Sequence, residues 1–254
     1  MDTQSLLEAA VHVARAAGDV TLDYWRRPDL IVEGKSDGTE VTAADRGAEA
    51  VARQLIGEHF PDDAILGEED GLVGGSSGRT WIVDPIDGTF GFVRGVPLYA
   101  TLVALVDQEG PVVGVIHLPA LRRTIWAGRG QGCFDNGRVA RVNSNSSVQG
   151  ALVCTSDWAA ASPEQIAAVR ASGARMRTWG DAYGYAMVAA GEAEAMVDPI
   201  CSAWDLAPMP VILAEAGGRF TDLEGNNSFD SGNGLATNGL IHQPLLDVLA
   251  GRTA

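Results

Sequence analysis

Two short apolar runs that end directly in carboxylates constrain this chain more than any other feature. Ala64-Ile65-Leu66 leads into Gly67-Glu68-Glu69-Asp70-Gly71, and Trp81-Ile82-Val83 into Asp84-Pro85-Ile86-Asp87-Gly88-Thr89. Runs this short, bounded by turn residues, predict buried strands. Taken singly, Glu68 and Glu69 read as a solvated loop, and Asp84 and Asp87 as an Asx turn. Two acidic strand ends within twenty residues demand more, because clustered carboxylates repel one another unless a cation lies between them. All-oxygen ligands suit Mg2+ or Mn2+ better than Zn2+. The four histidines (His12, His59, His117, His242) lie outside both motifs, which agrees.

The second motif is stiff. Pro85 fixes its own φ and lacks a donor, so Asp84 and Asp87 can point one way where the strand ends and the chain turns. Gly88 permits an unusual dihedral or a close ligand. The amides of Gly88, Thr89 and Phe90 then begin a short helix whose N-terminus can accept an anion.

Around these motifs the chain reads as α/β, with an antiparallel-rich first half and an alternating second half. Residues 3–26 carry apolar positions at helical spacing, and Pro28 with the segment 32–39 breaks that helix. Thr42-Ala43-Ala44-Asp45 has the form of a capping box opening a second helix to about Phe60. Strands are expected at 98–106, 112–118 and 123–127, and Asp135-Asn136-Gly137 marks a hairpin. Beyond a linker at 143–150, strands are expected at 151–155, 175–179, 195–198 and 218–221. Helices are expected at 163–171, 182–190, 206–216 and 244–249. Asp205 reads as an N-cap, and Pro210 as a kink in the helix that follows. The expected organisation is one domain, 1–254, divisible into 1–145 with the acidic motifs and 146–254 supplying Asp205.

Composition excludes several function classes. A net charge of −15 repels nucleic acid and anionic membranes. No apolar run approaches the length of a membrane span, and residues 1–10 lack the basic stretch of a signal peptide. The three cysteines show neither paired nor zinc-ligand spacing, so a reducing cytoplasm is the expected location. Among eighteen basic residues Lys35 is the sole lysine. A lysine-poor composition has to leave one somewhere; alternatively an ammonium point charge is wanted there.

The string Asp84-Pro85-Ile86-Asp87-Gly88-Thr89, with Gly67-Glu68-Glu69 before it and Trp204-Asp205-Leu206-Ala207 downstream, resembles the inositol monophosphatase family. Lys35, the Thr42…Asp45 pair and Glu215-Ala216-Gly217-Gly218 fall where that family has them. The resemblance runs from about residue 5 to 250 and implies a layered αβαβα sandwich. It further implies that Glu68, Asp84 and the Ile86 carbonyl hold one Mg2+, and that Asp84, Asp87 and Asp205 hold a second. A weaker third ion near Glu68, Mn2+ as substitute, Li+ as inhibitor and a homodimer are family expectations of the same kind. Thr89 paired with Asp45 would orient the attacking water, Glu69 would support the metal ligands, and the Gly88 and Thr89 amides would meet phosphoryl oxygens. The implied chemistry is a two-metal clamp on an in-line displacement. Cys201 then reads as a buried small hydrophobe, with no nucleophilic role.

Within the family, Phe92-Val93-Arg94-Gly95-Val96-Pro97-Leu98-Tyr99-Ala100-Thr101-Leu102 looks most like the histidinol-phosphate phosphatase branch. Histidinol phosphate joins a cationic amine to a phosphate, so Asp198 and Asp181 are the candidates for an acidic substrate wall. One departure stands out: relatives generally follow Asp-Gly-Thr with a polar residue and Asn, whereas this chain has Phe90 and Gly91. That leaves inositol 1-phosphate, a sugar phosphate or a nucleotide phosphate as alternative substrates. A non-catalytic phosphate-binding role would call for a missing ligand or a missing Thr89, and neither is missing.

Overall fold

The computed structural model describes residues 2–35 and 38–252; Ser36 and Asp37, in the segment expected to end the first helix, lie outside them. The first half runs α1 (Thr3–Leu22), β1 (Val32–Gly34), β2 (Glu40–Thr42), α2 (Ala43–His59), β3 (Ala64–Gly67), β4 (Gly71–Val73) and β5 (Thr80–Asp87). It continues with α3 (Thr89–Val93), β6 (Ala100–Asp107), β7 (Gly110–Leu118), β8 (Arg123–Gly128), β9 (Gly132–Asp135) and β10 (Arg138–Val139). The second half begins with β11 (Leu152–Cys154), α4 (Pro163–Ala171), β12 (Arg175–Arg177), α5 (Asp181–Ala189) and β13 (Ala195–Asp198). It ends with α6 (Ala203–Leu206), α7 (Met209–Ala216), β14 (Arg219–Thr221), β15 (Gly234–Thr237) and α8 (His242–Leu249).

Eight strands form one sheet in the order β10-β9-β8-β7-β6-β5-β3-β4, antiparallel except between β3 and β5. Five form a second, mixed sheet in the order β12-β11-β13-β15-β14. The period-two alternation of each strand builds the layers. Val103 and Leu105 of β6 join Trp81 and Val83 against the apolar stripes of α1 and α2. Leu102, one residue along, faces the opposite core with Ile116, Ile125, Tyr185 of α5 and Ile212 of α7. That core also takes Met196, Phe220 and Ala236 from the second sheet. Val153, Val197 and Leu235 face its far side, where α4 and α8 close it through Val169, Leu245 and Leu249. The result is the αβαβα sandwich.

The β3–β5 pair is pinned at the end away from the acids. Buried Asp63 accepts from Arg79 Nε (3.0 Å) and Nη2 (2.9 Å) and from Trp81 Nε1 (3.0 Å).

Three expectations need correction. β5 does not end at Val83 but runs on to Asp87. The helix expected at 206–216 is two helices, and Asp205 is not its N-cap: Ser202 caps α6, and Asp205, the third residue of that helix, closes its capping box. Pro208 caps α7 and Pro210 lies in its first turn, where no intrahelical donor is needed, so the helix restarts instead of kinking. The central strand β15 also went unread, because its four residues Gly-Leu-Ala-Thr carry no alternation, being buried on both faces.

Candidate active site

In an unbroken strand, residues three apart point to opposite faces. Asp84 pairs with Leu102 and Asp87 with Ala100, so β5 holds one residue more than β6 between these pairs. This bulge corrects the parity and lets both carboxylates face the same cavity. Pro85 fits there because the bulged position owes no ladder donor, and its carbonyl is taken by Thr101 Oγ1 at 2.9 Å.

Asp205 arrives from the far half of the chain on α6, its Oδ2 accepting from Ser202 N at 2.8 Å. One carboxylate oxygen from each of Asp84, Asp87 and Asp205 lies within 4.8 Å of the others. Burial, then the charges of Glu68, Asp87 and Asp205, push the Asp84 carboxyl well above its usual range. Burial, then Asp181 and Asp205, do the same to Asp87. Asp205 is pushed to about 6, chiefly by burial. Asp84 Oδ1 is buried and meets no donor among the described residues. An orphaned carboxylate oxygen amid three mutually repelling acids is what a divalent cation would satisfy, and the donors are all oxygen. The residues present therefore fit the metal the family implies.

Glu68 and Glu69 sit on the β3–β4 turn and share Lys35, whose Nζ donates to Glu68 Oε1 and to Glu69 Oε1, both at 2.7 Å. Burial opposes the ammonium charge, but these two acceptors outweigh it and hold Lys35 above its ordinary pKa. The sole lysine thus meets the acidic cluster. Asp45, the third residue of α2, closes its capping box; its Oδ2 accepts from Thr42 N and Oγ1, both at 2.7 Å. Its Oδ1 lies 3.3 Å from Thr89 Oγ1, and that hydroxyl also donates to the Ile86 carbonyl at 2.8 Å.

Glu68, Asp84, Asp87, Thr89, Asp181 and Asp205 line a cavity of about 460 Å³. Gly88, at φ 84°, caps α3. A Cβ there would lie 2.8 Å from Asp181 Oδ2, so the glycine lets Asp181 reach the turn. Asp198 is 2% exposed and accepts from Ser156 N (3.0 Å) and Oγ (2.7 Å). The same Ser156 hydroxyl accepts from Asp181 N at 2.8 Å. Asp198 therefore supports the segment that carries Asp181. Burial is the main force raising the carboxyls of both, Asp198 to about 6. Cys201 is half-buried, not buried as expected, and burial first, with Asp198 and Asp205 next, raises its thiol far above the ordinary range.

Phe90 stands at the cavity rim, 68% exposed. The Arg94 guanidinium lies 3.5 Å from its ring centroid and is held by Glu40 Oε2 (2.9 Å) and the Phe90 carbonyl (2.8 Å). The departure from the family pattern thus falls on the rim, and the clustered carboxylates of Asp84, Asp87 and Asp205 are untouched by it. Sequence reasoning missed Glu49 and Ser156. Glu49 had a signal, standing four residues after Asp45 on one helix face; Ser156 had none.

Fold and site together define a phosphomonoester hydrolase, and the sequence profile of the inositol monophosphatase family matches residues 2–252. The chain belongs to that family, which is metal-dependent. It is 40% identical over 249 residues to a histidinol-phosphatase of Mycobacterium tuberculosis, covering 94% of this chain and 96% of the relative. It is 34% identical over 246 residues to a fructose-1,6-bisphosphatase/inositol-1-monophosphatase of Thermotoga maritima, covering 96% and 95%. The solved structure of the extragenic suppressor protein suhB from Bartonella henselae superposes with a TM-score of 0.89 at 30% identity, covering 96% of this chain and 98% of that one. Among the described residues no helix is long and apolar enough to cross a membrane.

Proposed function

We propose that this chain hydrolyses L-histidinol phosphate to L-histidinol and phosphate in a Mg2+-dependent reaction with water. The observation that carries the reading is the acidic wall: Asp181 lines the cavity beside Asp87 and against Gly88, where the leaving group's ammonium would need a counter-charge. The 40% identity to a histidinol-phosphatase supports the same substrate.

Glu68, Asp84 and the Ile86 carbonyl would hold one ion, and Asp84, Asp87 and Asp205 a second. Bound there, the metal supplies charge neutralisation at the phosphoryl and leaving oxygens and lowers the pKa of water. The chain's own part is positioning. The Thr89 hydroxyl has one proton and two acceptors in reach, the Ile86 carbonyl at 2.8 Å and Asp45 Oδ1 at 3.3 Å; as its oxygen takes a proton from the attacking water, its own proton turns from Ile86 to Asp45. The Gly88 and Thr89 amides at the start of α3 donate to phosphoryl oxygens. Lys35 and Glu69 brace Glu68, and Asp181, seated by Ser156 and Asp198, receives the amine.

The test is phosphate release with Mg2+ from histidinol phosphate, inositol 1-phosphate, fructose 1,6-bisphosphate, 2′-AMP and 3′-phosphoadenosine 5′-phosphate. A preference of at least tenfold in kcat/KM for histidinol phosphate is expected. A flat profile, or a preference for inositol 1-phosphate in line with the Thermotoga relative, refutes the substrate but not the hydrolysis.

A further inference from the structure

The turn that carries Glu68 is braced from below by a buried ion pair on α2. Glu49 is fully buried. Its Oε2 accepts from Glu69 N at 2.8 Å, and its Oε1 from Asp70 N at 3.0 Å and from Arg53 Nε at 2.8 Å. Arg53 reaches on to the Gly71 carbonyl through Nη2. Gly67 and Gly71 pair across the β3–β4 hairpin, so Glu68, Glu69 and Asp70 are the loop itself. The inward amides of such a loop have no strand partner, and here one carboxylate takes two of them. The fit is tight: a Cβ on Gly67 would lie 2.2 Å from Glu49 Oε1.

Asp45 and Glu49 stand one turn apart on α2 and face the same way. Asp45 holds Thr89 and Glu49 holds the Glu68–Glu69 turn, so one helix registers both sides of the cavity mouth.

We propose that Glu49, with Arg53, is a positioning residue that aims Glu68 at the metal site. The proposal rests on the metal-ligand role assigned to Glu68 above. In Glu49→Gln the amide nitrogen faces either a backbone N–H or the Arg53 guanidinium, donor against donor. The turn then relaxes and the ligand loses its aim. Supporting groups of this kind typically contribute roughly 10–100-fold to metal affinity.

The test is Mn2+ binding by electron paramagnetic resonance on wild type, E49Q, R53Q and D63N, without substrate, together with the Mg2+ midpoint of activity. D63N breaks the buried Asp63–Arg79–Trp81 cluster at the opposite end of the same strands and serves as the stability control. We expect E49Q to raise the Mn2+ dissociation constant about tenfold or more, with R53Q shifted the same way and D63N unchanged. The Mg2+ midpoint should rise in step, and saturating Mg2+ should recover most of kcat. Should E49Q fail to fold, R53Q decides. Equal Mn2+ binding by wild type and E49Q would overturn the role of Glu49 alone, as would an equal shift in D63N. A wild type that binds no Mn2+ would overturn the metal reading itself.

Discussion

Replacing Asp84 by Asn should make the metal-free protein more stable and leave the enzyme inactive. Asp84 is 1% exposed, and its Oδ1 has no donor among the described residues. At 4.8 Å, the limit of separation from Asp87 and Asp205, two unit charges repel by about 3.5 kcal/mol at an effective dielectric constant near 20. Proton uptake limits what is lost, since neutralising a carboxylate of ordinary pKa at pH 7 costs about 4 kcal/mol. The variant keeps the shape, removes the charge and adds two donors beside hungry acceptors. A gain of about 2–4 kcal/mol follows, which for a chain of this size is a rise in Tm of roughly 5–15 °C. The assay is thermal unfolding at pH 7 in EDTA and again in 5 mM Mg2+, with phosphate release alongside. Wild type should be stabilised by Mg2+ and overtake the variant, whose melting should ignore the ion. Turnover in D84N should fall by at least ~10³, the loss expected when a charge-stabilising group at the reacting centre goes. An EDTA-treated variant no more stable than wild type would mean the acids do not strain one another as described, and near-full turnover would remove Asp84 from the chemistry.

Thr89→Ala should lower kcat by about 10²–10⁴, the span for a lost proton-handling group, while the Mg2+ midpoint stays put; a moved midpoint would assign Thr89 to the metals instead. Asp181→Asn should raise KM for histidinol phosphate about tenfold or more through the lost charge-assisted contact and spare inositol 1-phosphate, so equal losses on both would deny the amine wall. His242 is 1% exposed and lies between Thr221 Oγ1 and Thr237 Oγ1, both at 2.9 Å. Burial lowers its pKa to about 4, and burial followed by Arg15 does the same to His117. The unfolded chain therefore binds protons that the folded one refuses, and stability falls as pH drops from about 6.5 toward 4, by about 2–3 kcal/mol per histidine. Urea midpoints at pH 7 and pH 4.5 should show a smaller drop for H242Q than for wild type; an unchanged slope would refute the assignment.

What could be read from residues alone was whatever local rules govern. The capping box at Thr42 and Asp45, the Asn136-Gly137 hairpin and the helix at Pro163–Ala171 all formed where their turn and cap chemistry predicts. The acidic strand ends were legible because charge after an apolar run is a local signal. The bulge in β5 was not, since parity depends on which residue of β6 lies opposite. Nor was β15, a strand whose burial comes from neighbours distant in sequence, nor the break between α6 and α7, which two prolines permit but packing decides. Ser156 illustrates the same limit: a serine after a short strand means nothing until Asp198 and Asp181 stand around it.

Asp205 joins its partners from about 120 residues beyond Asp87, and this has a consequence for the nascent chain. At roughly 5–20 residues per second of synthesis, the β5 acids emerge on the order of ten seconds before the carboxylate that completes the set. During that interval the half-built cluster has one charge fewer to repel and one oxygen fewer to offer a cation. The Asp84–Asp87–Asp205 set exists only once both halves of the chain have packed together, so a cation held there would favour complete chains over truncated ones.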